Sequence, residues 1–549
     1  MKIIRLLVPL LLLALIIGCG QSAEKSETKA ETNKKETKAS PVNGDAFVIS
    51  SLGDATGLIY NITSDSASHD VASKIYNGLV EYDKDLNIIG DLAQSWDITD
   101  GGKTIVFHLR KDVKWHDGVP FTAADVEFTY KFMIDDKTPT AYDADFRLVK
   151  SFEVLDDYTV RVSYAEPFAP ALISWSMAIL PKHLLEGQDV TKSPLLRKPV
   201  GTGPYKFLEW KAGESITLTA NDSYFKGRPY IDRIITRVIP DTATSFLELL
   251  NGAIDMLGLT PLQWTKQTGT NPRFTEQYNK YDYLSFGYTY VGYNLTKEPF
   301  SDKRVRQALT YATPKDDIVK GILFGLGVSA TGPYKPGTLW YNDKVKKYDY
   351  SPEKAKELLA EAGWKDSDGD GVLDKKGKKL EFELLTNQGN TVRTKICETL
   401  QQSWQKIGVK VNIRVLEWAT FINEYVDKQK FDAVVLGWNI TNDPDLYDVW
   451  YSGNCGGKKL NFICYQNSEL DKLMIEGRQE FDPQKRKAYY DKAQEILAED
   501  QPYTFLYVPY ALVALSKRFE NVYTAPAGLT HNQDKWWVKT EDQKYHFEQ

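Results

Sequence analysis

The chain has 549 residues, more than one hydrophobic core can serve, and this length predicts about two to four domains. Its 42% hydrophobic and 26% charged residues are ordinary for a globular protein, and a net charge of −6 without a long basic run excludes nucleic acid as the natural partner. Six His and four Cys leave little for metal chemistry, whereas 12% aromatic residues, with 13 Trp and 32 Tyr, suit a large cavity that binds by stacking and edge contacts.

Met1 to Cys19 reads as an export leader. Lys2 and Arg5 form its positive end, and Leu6 to Ile17 an apolar core too short for a comfortable bilayer span. The small Gly18 before Cys19, the leader's sole cysteine, resembles a bacterial lipobox. In such signals the Cys thiol receives a diacylglyceryl group and becomes the new N-terminus; a plain secretory leader is the alternative. Two acyl chains anchor stably where one is marginal. Residues 20–44 are a tether of Ser, Thr, Lys, Glu and Ala with five Lys against four Glu. It has too little apolar surface to offset ordering entropy, and as a coil it reaches about 25–30 Å.

Order is expected from Ala46–Ile49, a strand, followed by a loop from Ser50 to Ser66 and a helix from Val71 to Tyr76. Thr104 to Arg110 alternates as a strand. Thr122 and Asp125 form a capping box for the next helix, whose apolar stripe is Val126, Tyr130 and Met133. Gly201–Tyr205 is turn chemistry before another strand. Ser301 and Ser351-Pro352 cap two helices, and Val392, Ile396 and Leu400 head a third that Gly408 ends. Val409 to Val415 then alternates as a strand. The continuous apolar run Ala433–Leu436 fits a strand buried on both faces, as in a parallel sheet. It turns polar at Gly437-Trp438-Asn439, and Pro444 stops further pairing. Ligands of open α/β sheets bind beyond such strand ends.

Several stretches in fixed order resemble the family 5 extracellular solute-binding proteins. They are Tyr76–Tyr82, Leu92–Trp96, Leu109–Gly118, Phe121–Val126, Pro199–Tyr205, Asn221–Phe225, Val305–Leu309 and Glu499–Leu506. These proteins are receptor subunits of ABC importers for peptides, nickel and some oligosaccharides. The patches Asn387–Asn390, Asp500–Leu506 and Lys535–Trp537 are similar to the oligopeptide branch. The resemblance implies an α/β fold of the two-lobe periplasmic-binding-protein type (type II, large peptide-receptor form with an inserted subdomain). Lobe I would use 45–80, 198–297 and 510–549, the insertion 81–197, and lobe II 298–509. Crossings near Tyr293-Asn294 and Val508-Pro509 are the hinge candidates. The implied partners are an oligopeptide, the transmembrane subunits of an ABC permease and, through the lipid anchor, the outer face of a Gram-positive-type cell membrane. The protein would act as a monomer.

The same resemblance places Trp418 and Trp438 in the ligand cleft, with Gly437 and Asn439 at the strand end that contacts ligand backbone. Well-studied peptide receptors carry an Asp three residues after this tryptophan, which pairs with the peptide amino terminus. Here that place is Thr441, with Asp443 and Asp445 as replacements or the amine left unread. Asp54, in the loop after the first strand, completes the candidate ligand set.

Other motifs carry less. Asp366, Asp368, Asp370 and Asp374 follow the start of a calcium loop, but the twelfth place is Gly377 rather than a bidentate Glu. The readings are a weak Ca²⁺ site or an Asp/Gly-rich hairpin; no cofactor is required. Cys455 and Cys464 lie nine apart in a Gly-rich segment, and export permits a disulfide, with two free thiols as the alternative. Cys397 reads as buried packing. Trp115–Gly118 is a turn, no His has metal-ligand spacing, and no nucleophile set assembles. Two rival functions remain: a receptor for oligosaccharides or another small solute, and an exported hydrolase.

Overall fold

The computed structural model describes residues 40–547. The leader, Cys19 and the tether up to residue 39 lie outside the described residues. Among the described residues no helix is long and apolar enough to cross a membrane.

A twelve-stranded mixed sheet organises the chain, and one strand, Tyr503–Ser516, belongs to both of its halves. Its N-terminal part pairs antiparallel with Gly287–Tyr293, and its C-terminal part with Tyr278–Leu284 and Met256–Gly258. Pro509 lies where one set of partners gives way to the other. A proline has no N–H to donate, so it is tolerated where the ladder changes hands. The first half continues outward through Gly44–Ser51, Ile231–Val238, Ser215–Ala220 and Tyr205–Lys211. The second continues through Gly287–Tyr293, Ala433–Asn439, Glu381–Asn387 and Lys410–Leu416.

The fold is the expected α/β architecture, with three differences in detail. Ala433–Asn439 runs parallel to Glu381–Asn387 but antiparallel to Gly287–Tyr293, so its sheet is mixed rather than parallel. Its burial is still two-sided. Ala433 and Val435 enter one hydrophobic core, and Val434 and Leu436 enter another on the opposite face. Second, the chain crosses between halves at Ser285-Phe286, not at Tyr293-Asn294. Ser285 N and Oγ both donate to the Pro509 carbonyl, at 3.0 and 2.8 Å. Tyr293 is fully buried inside the second half, and Asn294 is bound there to the Gln429 and Phe431 carbonyls. Residues 287–297 therefore pack with the second half rather than lobe I. Third, the helix expected at Val71–Tyr76 is Ser66–Ala72, because Asp65 caps it by accepting from Ser68 N.

The second half is packed by helices whose periodicity was legible. Ile396, Cys397, Leu400 and Trp404 of Thr391–Gln405 face the sheet, and Trp404 Nε1 donates to the Leu309 carbonyl at 3.0 Å. Each such buried aliphatic side chain contributes about 1.5–3 kcal/mol. Asp302, not Ser301, caps Lys303–Tyr311, whereas Ser351 caps Pro352–Glu361 as expected. The inserted region forms its own four-stranded antiparallel sheet, with Ala93–Thr99, Thr104–Leu109, Thr159–Tyr164 and Val149–Asp156 in that order. The helix Ala123–Ile134 covers it, opened by the Thr122/Asp125 capping box. This separate core holds Phe107, Trp115, Phe121 and Trp175.

Candidate ligand-binding cleft

A cavity of about 710 Å³ opens between the two halves and the inserted subdomain, within the size range of ligand sites. One wall is the end of the buried strand. Pairing with Glu381–Asn387 covers only Ala433 and Val434, and the Thr386 hydroxyl donates to the Val435 carbonyl at 3.2 Å, so Leu436–Asn439 has no strand on that side. Gly437, Trp438, Asn439, Thr441 and Asp443 all line the cavity. The Trp438 ring is half-buried and lies nearly parallel to Tyr290, at 11° and 6.4 Å. Its Nε1 donates to the Tyr503 hydroxyl at 3.3 Å, so the indole is held from behind with an edge free to the cavity.

Gly437 has a local reason. A Cβ there would fall 3.1 Å from Arg393 Nη2, so glycine lets the guanidinium approach the strand. Arg393 sits in the first turn of its helix, donates from Nη1 to Asn387 Oδ1 at 2.8 Å, and lines the cavity. No carboxylate pairs with it among the described residues, and burial lowers its pKa.

Trp418 lines the cavity and also joins its walls. Its Nε1 donates to Asp65 Oδ1 in the first half at 3.3 Å. Its Cβ lies against Gly53, where an added methyl carbon would come within 2.4 Å. Two ion pairs reinforce the junction on the insertion's side: Lys459 with Asp143 and Arg478 with Asp145. Ala169 N also donates to the Arg478 carbonyl at 2.7 Å.

The loop acids are less free than their sequence position suggests. Asp443 accepts two bonds from Arg486, both at 2.8 Å, so its charge is neutralised from within. Asp445 forms an ion pair with Arg478 at 2.9 Å; burial, then the Asp443 charge, pushes its pKa up to about 7. Thr441 Oγ1 donates to the Asp443 carbonyl. Asp54 does not line the cavity. Its carboxylate accepts from Trp210 Nε1 at 3.0 Å and Gly213 N at 2.8 Å, a structural role that removes it from the ligand set.

Several contributors, Arg393 among them, escaped the sequence reading. Tyr142 comes from the inserted subdomain, His69 from the first half, and Tyr290 and Asp448 from the second. His69 stacks on Tyr60 at 4.1 Å, and its Nε2 lies 2.7 Å from the Thr63 carbonyl, with burial lowering its pKa. A signal existed for Arg393, the first-turn cation of a helix that follows a strand end. None existed for Tyr142, because only the tertiary fold brings the insertion over the cleft.

Elsewhere, Cys455 and Cys464 are joined as a disulfide, and Cys397 is free and buried, its pKa pushed up to about 12 by burial. Oxygens of Asp366, Asp368 and Asp370 lie within 4.8 Å of one another. Lys379 places its ammonium 2.6 Å from Asp368 and 2.9 Å from Asp370, giving the loop an internal cation. Asp374 is outside the group and accepts from Ser367 N and Oγ. These residues therefore fit Ca²⁺ poorly. Trp115–Gly118 is a turn, closed by Gly118 N to the Trp115 carbonyl.

Comparison with known proteins agrees with this geometry. A family model described as bacterial extracellular solute-binding proteins, family 5, middle, matches residues 87–459. The chain is 36% identical to the oligopeptide-binding protein AppA of Bacillus subtilis, over 96% of this chain and 97% of that one. It is 31% identical to heme-binding protein A of Haemophilus influenzae, over 93% and 95%. The solved structure of Bacillus subtilis AppA in complex with a nonapeptide superposes with a TM-score of 0.87, covering 91% of this chain and 100% of that one. The chain belongs to the family 5 bacterial extracellular solute-binding proteins, which are transport binding proteins and not enzymes.

Proposed function

We propose that this protein is the lipid-anchored, extracytoplasmic receptor of an ABC importer, which captures oligopeptides in the cleft and delivers them to the permease. The observation that carries this reading is the unpaired edge Leu436–Asn439 bordering a cavity of about 710 Å³. An extended peptide repeats the same donors and acceptors whatever its sequence, and a free strand edge satisfies them by β-augmentation. The aromatic walls, Trp438, Tyr290 and Tyr142, suit varied side chains. The similarity to an oligopeptide-binding protein solved with a nonapeptide supports the same class of guest.

Burial of the guest between two halves joined through Ser285-Phe286 and Val508-Pro509 links occupancy to closure. The permease then reads the closed form. The acylated Cys19 and its tether keep the folded body near the outer face of the membrane, where a monomer suffices. A second reading, another small solute, is favoured by the similarity to heme-binding protein A. Native mass spectrometry of freshly purified protein separates the two. A ladder of peptide masses is the expected result; a single non-peptide adduct or a hexose series overturns it.

A further inference from the structure

Lys459 reaches across the cleft from a segment that its own sequence does little to stiffen. It follows Gly456 and Gly457, which both hold a left-handed backbone, at φ 89° and 61°, with open space where a Cβ would stand. Successive glycines leave a chain many conformations and favour none. The base of the segment is nevertheless fixed within the second half. The Cys455–Cys464 disulfide joins its ends, and Cys464 N donates to the Asn461 carbonyl at 3.0 Å. Asn461 is fully buried and donates from Nδ2 to the Tyr451 and Tyr465 carbonyls at 3.0 and 2.8 Å. Gln429 Nε2 donates to the Phe462 carbonyl at 2.8 Å, and Leu295 N to the Ile463 carbonyl at 3.0 Å. Only the tip, Lys458-Lys459-Leu460, is left to line the cavity.

From that tip the Lys459 ammonium pairs with Asp143 of the inserted subdomain. Asp143 is buried and also accepts from Arg147 Nε at 2.6 Å. Burial favours its neutral form, yet the bonds from Lys459 and Arg147 hold its pKa below the ordinary value. A pair made from a mobile loop loses much of its gain to the ordering of loop and side chain. A bridge across the loop's ends removes part of that freedom beforehand, so the pair forms at less cost. Lys459 and Asp143 stand on opposite walls, so the pair belongs to the closed arrangement. We infer that the Cys455–Cys464 bridge is a positioning device for Lys459, which clasps Asp143 across the cleft and slows release of the guest. The clasp rests on the closure proposed above and holds whichever solute is enclosed.

The test loads the protein with a random-sequence nonapeptide mixture, desalts it rapidly and follows by mass spectrometry the peptide still held. Lys459→Met should speed release about tenfold, because truncating one member of a buried charge pair acts mainly on dissociation. Cys455→Ser with Cys464→Ser should speed it to a similar degree, and adding Lys459→Met to that variant should change the rate by less than about twofold. A bridge that merely braces the fold would speed release by the same factor with or without Lys459. Lys459→Arg, which keeps the charge, should stay within about threefold of the parent. Acetylation of amines in the unaltered, freshly purified protein gives a variant-free reading. Lys459 should react more slowly than the exposed Lys458, and should gain reactivity relative to it once a phosphine has reduced the bridge and two new thiols appear. The inference is overturned if Lys459→Met releases peptide within about twofold of the parent, if the lysine and cysteine effects multiply, or if reduction leaves the ratio of the two lysines unchanged. A parent that retains no peptide overturns the peptide reading alone, because the acetylation contrast tests the clasp without added peptide.

Discussion

Gly53→Ala is the sharpest test of the proposed closure. Gly53 lies in the first half and Trp418 in the second, and the two touch only because the cleft walls meet. A Cβ on residue 53 would fall 2.4 Å from Trp418 Cβ and 2.7 Å from its Cγ. Carbon atoms prefer 3.5–4.0 Å, so the overlap exceeds about 1 Å. Rotation of the indole cannot relieve it, since Trp418 Cβ is fixed to the backbone. The Gly53 backbone is not left-handed, so alanine costs nothing locally in an open form. The whole penalty, about 1–3 kcal/mol for overpacking, therefore falls on the closed state. Under the proposed coupling of occupancy to closure, affinity should fall about 5- to 150-fold. The Trp418–Asp65 hydrogen bond, broken by the same displacement, adds to the effect. The assay is isothermal titration with a bound-state peptide, paired with thermal melting of the empty protein. An affinity within about twofold of the parent would refute the reasoning. So would a melting point that falls in step with affinity, because that would locate the damage in the fold rather than in closure.

Further outcomes follow from other contacts. Trp438→Ala should weaken peptide binding by more than about 1 kcal/mol, read by fluorescence titration, since the half-buried ring is an aromatic anchor held by Tyr290 and Tyr503. Arg486→Met should lower stability by roughly 3–5 kcal/mol in denaturant melts, because it leaves the Asp443 carboxylate without its bidentate partner. Asp445 has a pKa near 7 when folded and about 3.9 when unfolded. The folded form binds its proton more tightly, so this group favours folding below about pH 4 and that contribution is lost as pH rises through 7. Asp445→Asn should accordingly raise the melting point more at pH 8 than at pH 5; an equal rise at both would contradict the shift. Thiol titration of denatured protein starting at residue 40 should find one free cysteine, Cys397, and three if the Cys455–Cys464 bridge does not form.

Local pattern made much of this molecule readable. The apolar run Ala433–Leu436, the stripe Ile396–Leu400 and the Thr122/Asp125 box announced their elements because period and capping are properties of neighbouring residues. The polar break at Gly437-Trp438-Asn439 likewise marked one wall of the cleft. Asp54 looked equally available and was not, since its partners Trp210 and Gly213 lie more than 150 residues away. The crossing point moved from Tyr293-Asn294 to Ser285-Phe286 for a similar reason: pairing with the far end of the chain decides which half Gly287–Tyr293 joins. So the sequence by itself determined most of the elements, the family and the strand end that lines the cleft. Only the tertiary structure decided which acids in the cleft are paired and which remain open, because a carboxylate's charge is settled by donors that long-range packing brings to it.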